Sequence, residues 1–255
     1  TDRDGNNPML PGKNNSLRYL AEALAERGIA SLRYDKRGIA GSGMQGLPTD
    51  LRFEHYVDDA VAWGKKLQAD PRFSSVTVVG HSEGSLIGML ATPRIPAAKV
   101  VSIAGLGFTA PEGILRQVRA ALPTDQVAQV EAALNRVARG EDPGEYPPAL
   151  APLFHPNALP YLRSWFPYDP RVAATGVGAP LLVVQGLHDF QALEEDARAI
   201  AAANPRAMLR LIPGMNHVLK QSPLGRMEQV PVYSDSTIAI DHTLIDVIAT
   251  FVRSP

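Results

Sequence analysis

The sequence predicts an α/β fold: a mostly parallel sheet with helices on both faces, interrupted by an inserted helical segment. Three observations carry that reading. Short strand-like runs alternate with amphipathic helical stretches through most of the chain. Between positions 107 and 178 the alternation stops and prolines crowd in. The 255 residues, 45% of them apolar and 20% charged, suffice for a sizeable core, and no repeat suggests an array.

The elements follow in order. Asn14 and Asn15 precede a helix with Leu17, Leu20, Ala21 and Leu24 on one face, and Gly28 stands where a stop belongs. Residues 29–34 read as a strand, followed by the turn-rich DKRGIAGSGMQGLP. A helix is expected over 51–67, ended by Asp70-Pro71, then a β-branched strand over 75–79, a helix over 83–91 and a strand over 99–104. The middle segment holds one clear helix, opened by Thr124, with Val127, Val130, Leu134 and Val137 in phase. Around it lie Pro147, Pro148, Pro152, Pro156, Pro160, Pro167 and Pro170, which argue for a short-helix excursion rather than sheet. Alternation resumes with a strand over 180–185, a helix over 193–203 and a strand over 207–212. A closing helix carries Ile240, Leu244, Val247, Ile248 and Phe251. The chain thus divides into a first core part, 1–106, an inserted lid, 107–178, and a second core part, 179–255.

Composition excludes several classes. A net charge of −1 provides no field to hold nucleic acid or an anionic membrane, and no apolar run of 18 residues suggests a membrane span. With no cysteine there is no disulfide, thiolate nucleophile or Cys-bound zinc, and the compartment stays open.

The sharpest motif is Gly80-His81-Ser82-Glu83-Gly84, a G-x-S-x-G pattern between a predicted strand and a predicted helix. Such a turn forces strained angles on Ser82 and needs small residues where strand and helix nearly touch. It presents the hydroxyl as a nucleophile and aims the Glu83 backbone N–H at a reacting carbonyl as an oxyanion donor. The bland reading is a Gly-Ser turn with Ser82 as a helix cap. A serine nucleophile needs a base, and the base a partner that holds its ring. Asp189 and His217 each follow a predicted strand, in the chain order Ser82, Asp189, His217. Glu194, Glu195 and Asp196 rival Asp189 but fall inside the next helix. His55 and His242 fall within helices, His155 in the proline-rich segment, and His81 at the motif's variable position. A metal site from His188, Asp189 and His217 lacks supporting spacing, so no metal and no cofactor is expected. Gly41-Ser42-Gly43-Met44-Gln45-Gly46 matches a dinucleotide fingerprint but lacks the helix and strand that must follow it.

Taken together, GHSEGS after VTVVG, RYDKRGIAGSG, QGLHD and GMNHVLK resemble the α/β-hydrolase superfamily, in its bacterial serine-esterase and aminopeptidase-like branch. The resemblance implies an α/β-hydrolase fold, Ser82 as nucleophile, Asp189 as acid, His217 as base and the Glu83 amide as one oxyanion donor. It implies a carboxylic ester hydrolase working through an acyl-enzyme on a small-molecule ester. A peptidase or amidase with the same three residues, and a non-catalytic binding member of the fold, are the alternatives. Phe108, Tyr146, Phe154, Tyr161, Trp165 and Phe166 in the lid either line an acyl or alcohol pocket or pack the lid onto its domain. Glu112, Glu141, Asp142 and Glu145 keep open a subsite for a peptide amino terminus. In that family the sheet has strands before the first helix, and here they are missing. An N-terminal fragment of the same protein, cleaved but retained or carried separately, is therefore expected to complete the sheet and to supply a second oxyanion donor upstream of Thr1.

Overall fold

The structure, a computed structural model, describes residues 1–7, 12–43, 50–96 and 98–254. Four parallel strands lie in chain order: β1 (Thr77–His81), β2 (Lys99–Ile103), β3 (Leu181–Gly186) and β4 (Met208–Ile212). The register sets Val79 beside Val101, Ser102 beside Val183 and Val184 beside Arg210. Successive side chains leave opposite faces of a strand. Val100, Leu181 and Val183 accordingly enter one core, and Val101, Ile103, Leu182 and Val184 the other. Strands covered on both faces have no polar side, so β2 and β3 are nearly all buried.

On the first face pack α2 (Phe53–Gln68), α3 (Glu83–Ala91) and α8 (Glu194–Ala203); on the second pack α1 (Ser16–Glu26) and α10 (His242–Arg253). Gly28, at φ 71°, stops α1 as expected. Asn15 makes no side-chain cap; Asn14 Oδ1 instead accepts the Ser16 N–H at 2.9 Å. The strand expected over 75–79 begins two residues later and reaches His81.

The strand expected over 29–34 does not form, and Leu32 there is 37% exposed. A ladder needs a neighbour. β1 pairs with β2 on one side and, among the described residues, with no strand on the other.

Beside the one clear helix expected in the inserted segment, α5 (Thr124–Ala138), the expected excursion consists of three shorter helices: α4 (Ala110–Arg119), α6 (Leu159–Trp165) and α7 (Pro170–Gly176). The prolines open the three shorter helices. Pro111, Pro160 and Pro170 each occupy the first or second helical position. Thr109 donates its N–H and hydroxyl to Glu112 at 2.8 and 2.6 Å, and Asp169 accepts the Arg171 N–H at 2.8 Å. The segment has its own core, where Val127, Val130, Leu134 and Val137 meet Phe154, Leu162 and Phe166.

Its attachment to the sheet domain is specific. Asp196 of α8, fully buried, accepts N–H bonds from Gly107 at 2.8 Å and Leu193 at 2.7 Å, and pairs with Arg116 of α4. At the far end, α9 (Arg226–Gln229) precedes a small cluster of Val218, Val232 and Tyr233. No helix among the described residues is long and apolar enough to cross a membrane.

Candidate active site

Ser82 sits between β1 and α3 at φ 56°, ψ −122°, a conformation L-residues rarely adopt. The turn is held from both sides: Ser82 N–H donates to Ile103 O at 2.9 Å, and its carbonyl accepts the Ser85 N–H at 3.0 Å. A Cβ on Gly80 would come within 2.0 Å of the Gly84 carbonyl oxygen, so strand and helix touch there. The same test at Gly84 meets nothing within 4 Å, so only the first glycine is demanded by space. Glu83 opens α3, and its N–H, in the first turn of the helix, has no intrahelical acceptor. Its carboxylate contacts Lys36 Nζ, and Lys36 lies 5.2 Å from the centre of the Tyr56 ring. Burial, and then the Glu83 charge, push the Tyr56 phenol up to about 12.

Asp189 lies in the loop after β3 and is 6% exposed. Its Oδ1 accepts N–H bonds from Gln191 at 2.7 Å and Ala192 at 3.1 Å, which fix the carboxylate plane. Its Oδ2 accepts from His217 Nδ1 at 2.7 Å and from Gln185 Nε2 at 3.3 Å. His217 follows β4 and is 7% exposed. Its loop is tied internally, with Asn216 Oδ1 accepting the N–H groups of Val218 and Lys220 at 3.1 Å. The fully buried Lys220 spends its ammonium on Asp235 O at 2.5 Å, and burial lowers its pKa. The His188 N–H donates to Met215 O at 3.0 Å and joins the two loops.

Asp189 and His217 are therefore paired at the same end of the sheet as Ser82. Among the described residues no hydrogen bond links Ser82 Oγ to His217. The neighbour of Ser82 makes the connection: His81 Nε2 lies 2.8 Å from His217 O, and the two imidazole rings stand 4.8 Å apart. The rival acids stay on α8, where Asp196 holds the inserted segment and Glu194 pairs with Arg198. His188 Nδ1 is 2.6 Å from Ser222 O, and no group of three or more His, Asp or Glu among the described residues is placed to hold a metal ion. Of the dinucleotide-like glycines, Gly41 belongs to a 3-10 turn over Ala40–Ser42; positions 44–49 lie outside the described residues.

The aromatic residues of the inserted segment pack. Phe53 of α2 stacks on Trp165 at 6.0 Å, and Tyr161 and Tyr168 lie around it. Phe154 and Phe166 are buried in the segment's own core, and Tyr146 lies 4.8 Å from Phe154. Phe108 sits between the guanidinium groups of Arg116 and Arg171. Three of the segment's four candidate acids are engaged: Glu112 caps α4, Glu141 pairs with Arg139, and Asp142 accepts the Gly144 N–H, while Glu145 is exposed. Sequence reasoning passed over His81 and Gln185. Gln185 was visible only as a polar residue closing an otherwise apolar strand run.

Known proteins resemble this chain in sequence and in fold. Residues 13–138 match the family model described as serine aminopeptidase, S33. The esterase EstD of Thermotoga maritima is 28% identical over 243 residues, 93% of this chain. The chain spans 57% of the length of that curated relative. Among solved structures, a hydrolase from Pseudomonas aeruginosa PA01 superposes with a TM-score of 0.58 at 17% identity, covering 98% of this chain and 92% of that one. Est1E from Butyrivibrio proteoclasticus gives 0.57 at 15% identity, with 98% and 90% covered. The chain has the α/β-hydrolase fold and is similar in sequence to the serine-esterase and aminopeptidase-like branch of that superfamily.

Proposed function

We propose that the chain is a serine hydrolase that cleaves carboxylic esters of small molecules, with Ser82 as nucleophile, His217 as base and Asp189 as its partner. The observation that carries this reading is the buried His217–Asp189 hydrogen bond of 2.7 Å beside a serine held at positive φ. His217 Nδ1–H donates to Asp189, which leaves Nε2 as the basic nitrogen. Nε2 takes the Ser82 proton as the oxygen attacks the ester carbonyl, and the Glu83 N–H stabilises the developing oxyanion. The imidazolium returns the proton to the departing alcohol. Water then repeats the cycle on the acyl-serine and frees the acid. Asp189 holds the tautomer and balances the imidazolium charge.

An aminopeptidase-like reading has the family model's description in its favour. It needs an unpaired carboxylate to hold a substrate ammonium. Glu83, the acid beside Ser82, contacts Lys36, and of the acids Glu112, Glu141, Asp142 and Glu145 in the inserted segment only the exposed Glu145 is not engaged elsewhere. The ester reading is therefore preferred. A panel of p-nitrophenyl esters of rising chain length, run beside an aminoacyl p-nitroanilide, tests the choice: the esters should turn over at least about tenfold faster. A fluorophosphonate should label Ser82 alone, and Ser82→Ala should lose several orders of magnitude in rate while keeping its fold. Wild-type hydrolysis by Ser82→Ala would end the serine reading, and faster turnover of the anilide would favour the peptidase.

A further inference from the structure

β1, which leads to Ser82, and β4, which leads to His217, are the two outer strands of the four-stranded sheet. Three inter-strand spacings separate them, roughly 14 Å. The loop after β4 must reach back over β3 and β2 to bring an imidazole to the serine. Its root is well fixed: Asn216 closes it internally, and Met215 O accepts the His188 N–H from the neighbouring loop. Where it lands, one hydrogen bond among the described residues joins it to the serine turn, His81 Nε2 to His217 O at 2.8 Å.

A carbonyl oxygen can only accept, so the His81 proton must sit on Nε2. Ser82 is the next residue in the chain. The bond therefore runs from the serine's neighbour to the backbone of the histidine itself. His217 is then gripped at two points, its carbonyl by His81 and its Nδ1 by Asp189.

We infer that His81 is a positioning residue that anchors the loop of His217 to the serine turn and so fixes the reach between Ser82 Oγ and His217 Nε2. The inference rests on the Ser82–His217–Asp189 reading above. The titratable side chains that face His81 are the His217 ring and the Asp189 carboxylate. Burial first, and His217 second, bring its pKa down to about 3, so the ring stays neutral at working pH. Neutrality matters here. A charged His81 would oppose the imidazolium that forms on His217, 4.8 Å away ring to ring.

The test compares two side chains of similar length and shape, one with a donor and one without: His81→Gln and His81→Met. His81→Phe, a ring without the donor, serves where the Met variant does not fold. Methionine or phenylalanine should lower kcat on p-nitrophenyl butyrate by about 10- to 100-fold with little change in KM, because misplacement of a catalytic group by an ångström costs on this scale. Glutamine should recover kcat to within about threefold. The downfield proton NMR signal of the His217 Nδ1–H should broaden or shift in the donor-free variant and return in the glutamine variant. Wild-type kcat without a donor would overturn the inference, as would a glutamine variant as impaired as methionine at equal melting temperature. Fluorophosphonate labelling of the wild type separates the two readings. Without labelling at Ser82 both fall; with labelling, an unimpaired His81→Met sinks only the anchoring role.

Discussion

At the scale of single residues, the turn at Ser82 treats its two glycines differently. A side chain at position 80 would strike the Gly84 backbone, which cannot rotate away, while one at position 84 would stand clear. Gly80→Ala should therefore yield no stably folded, active protein. Gly84→Ala should fold and melt at or above the wild-type temperature, since alanine is better than glycine in a helix by up to about 1 kcal/mol. Thermal melts of the pair check this, and equal damage from both would refute it. His81 should leave a mark on stability as well as on rate. In the fold its pKa is down to about 3, while an unfolded histidine titrates near pH 6.5. Between those values the unfolded chain binds the extra proton. Stability due to this residue is thus present above pH 6.5 and is lost as the pH falls toward 3, by at most about 1.4 kcal/mol per pH unit. Removing that titration in His81→Gln should flatten the fall in melting temperature between about pH 7 and pH 4.5; parallel slopes would count against it. The proposed Ser82, Asp189 and His217 were candidates in the sequence because each follows a predicted strand, and in the structure each follows β1, β3 or β4. His81 could not be picked out in that way, because its partner is a backbone carbonyl 136 residues away and no spacing rule reaches that far.

At the scale of elements, the inserted segment is joined to the sheet domain through an aromatic seam and a cap. Phe53, fully buried at the start of α2, touches Tyr161, Trp165 and Tyr168, and its own N–H donates to Ser164 Oγ of α6 at 2.8 Å. Phe53→Ala should cost about 3–5 kcal/mol, a fall of roughly 10 °C in melting temperature. Ser164→Ala should cost about 1 kcal/mol through the lost cap. Because Trp165 packs on Phe53 and Tyr161, Trp165→Ala should slow acetate and longer acyl esters by the same factor while lowering the melting temperature. A change in chain-length preference without lost stability would return Trp165 to a substrate pocket. Helical periodicity made α1, α2, α3, α5, α8 and α10 readable in advance. The strand over 29–34 was misread because apolar content does not supply a neighbour, and α4, α6 and α7 were legible only as an excursion of short helices without bounds, because prolines at first turns say that short helices start without saying how far each runs.

At the scale of the whole chain, the sheet is closed on one face by α2, α3 and α8 and on the other by α1 and α10, but among the described residues its first strand has a strand neighbour on one edge only. The hydrogen bonds Ser82 N–H to Ile103 O and Lys99 N–H to Val76 O fix which residues face β2. Backbone groups alternate in direction along a parallel ladder, so those of Thr77 and Val79 point away from β2, and Val79 is 40% exposed. An unpaired amide needs no opening of the sheet to meet water. Hydrogen exchange should therefore replace the Thr77 and Val79 amide protons at least about a hundredfold faster than those of Val101 and Val183, which are ladder-bonded in the core. The serine end of β1 is expected to stay ordered in the same experiment, because the Gly80–Gly84 contact and the His81 hydrogen bond fix it independently of the open edge. Protection of Val79 equal to that of Val101 would mean that another strand covers this edge in solution. A dilution series would then tell a second copy, whose protection fades on dilution, from a strand held within one molecule, whose protection does not.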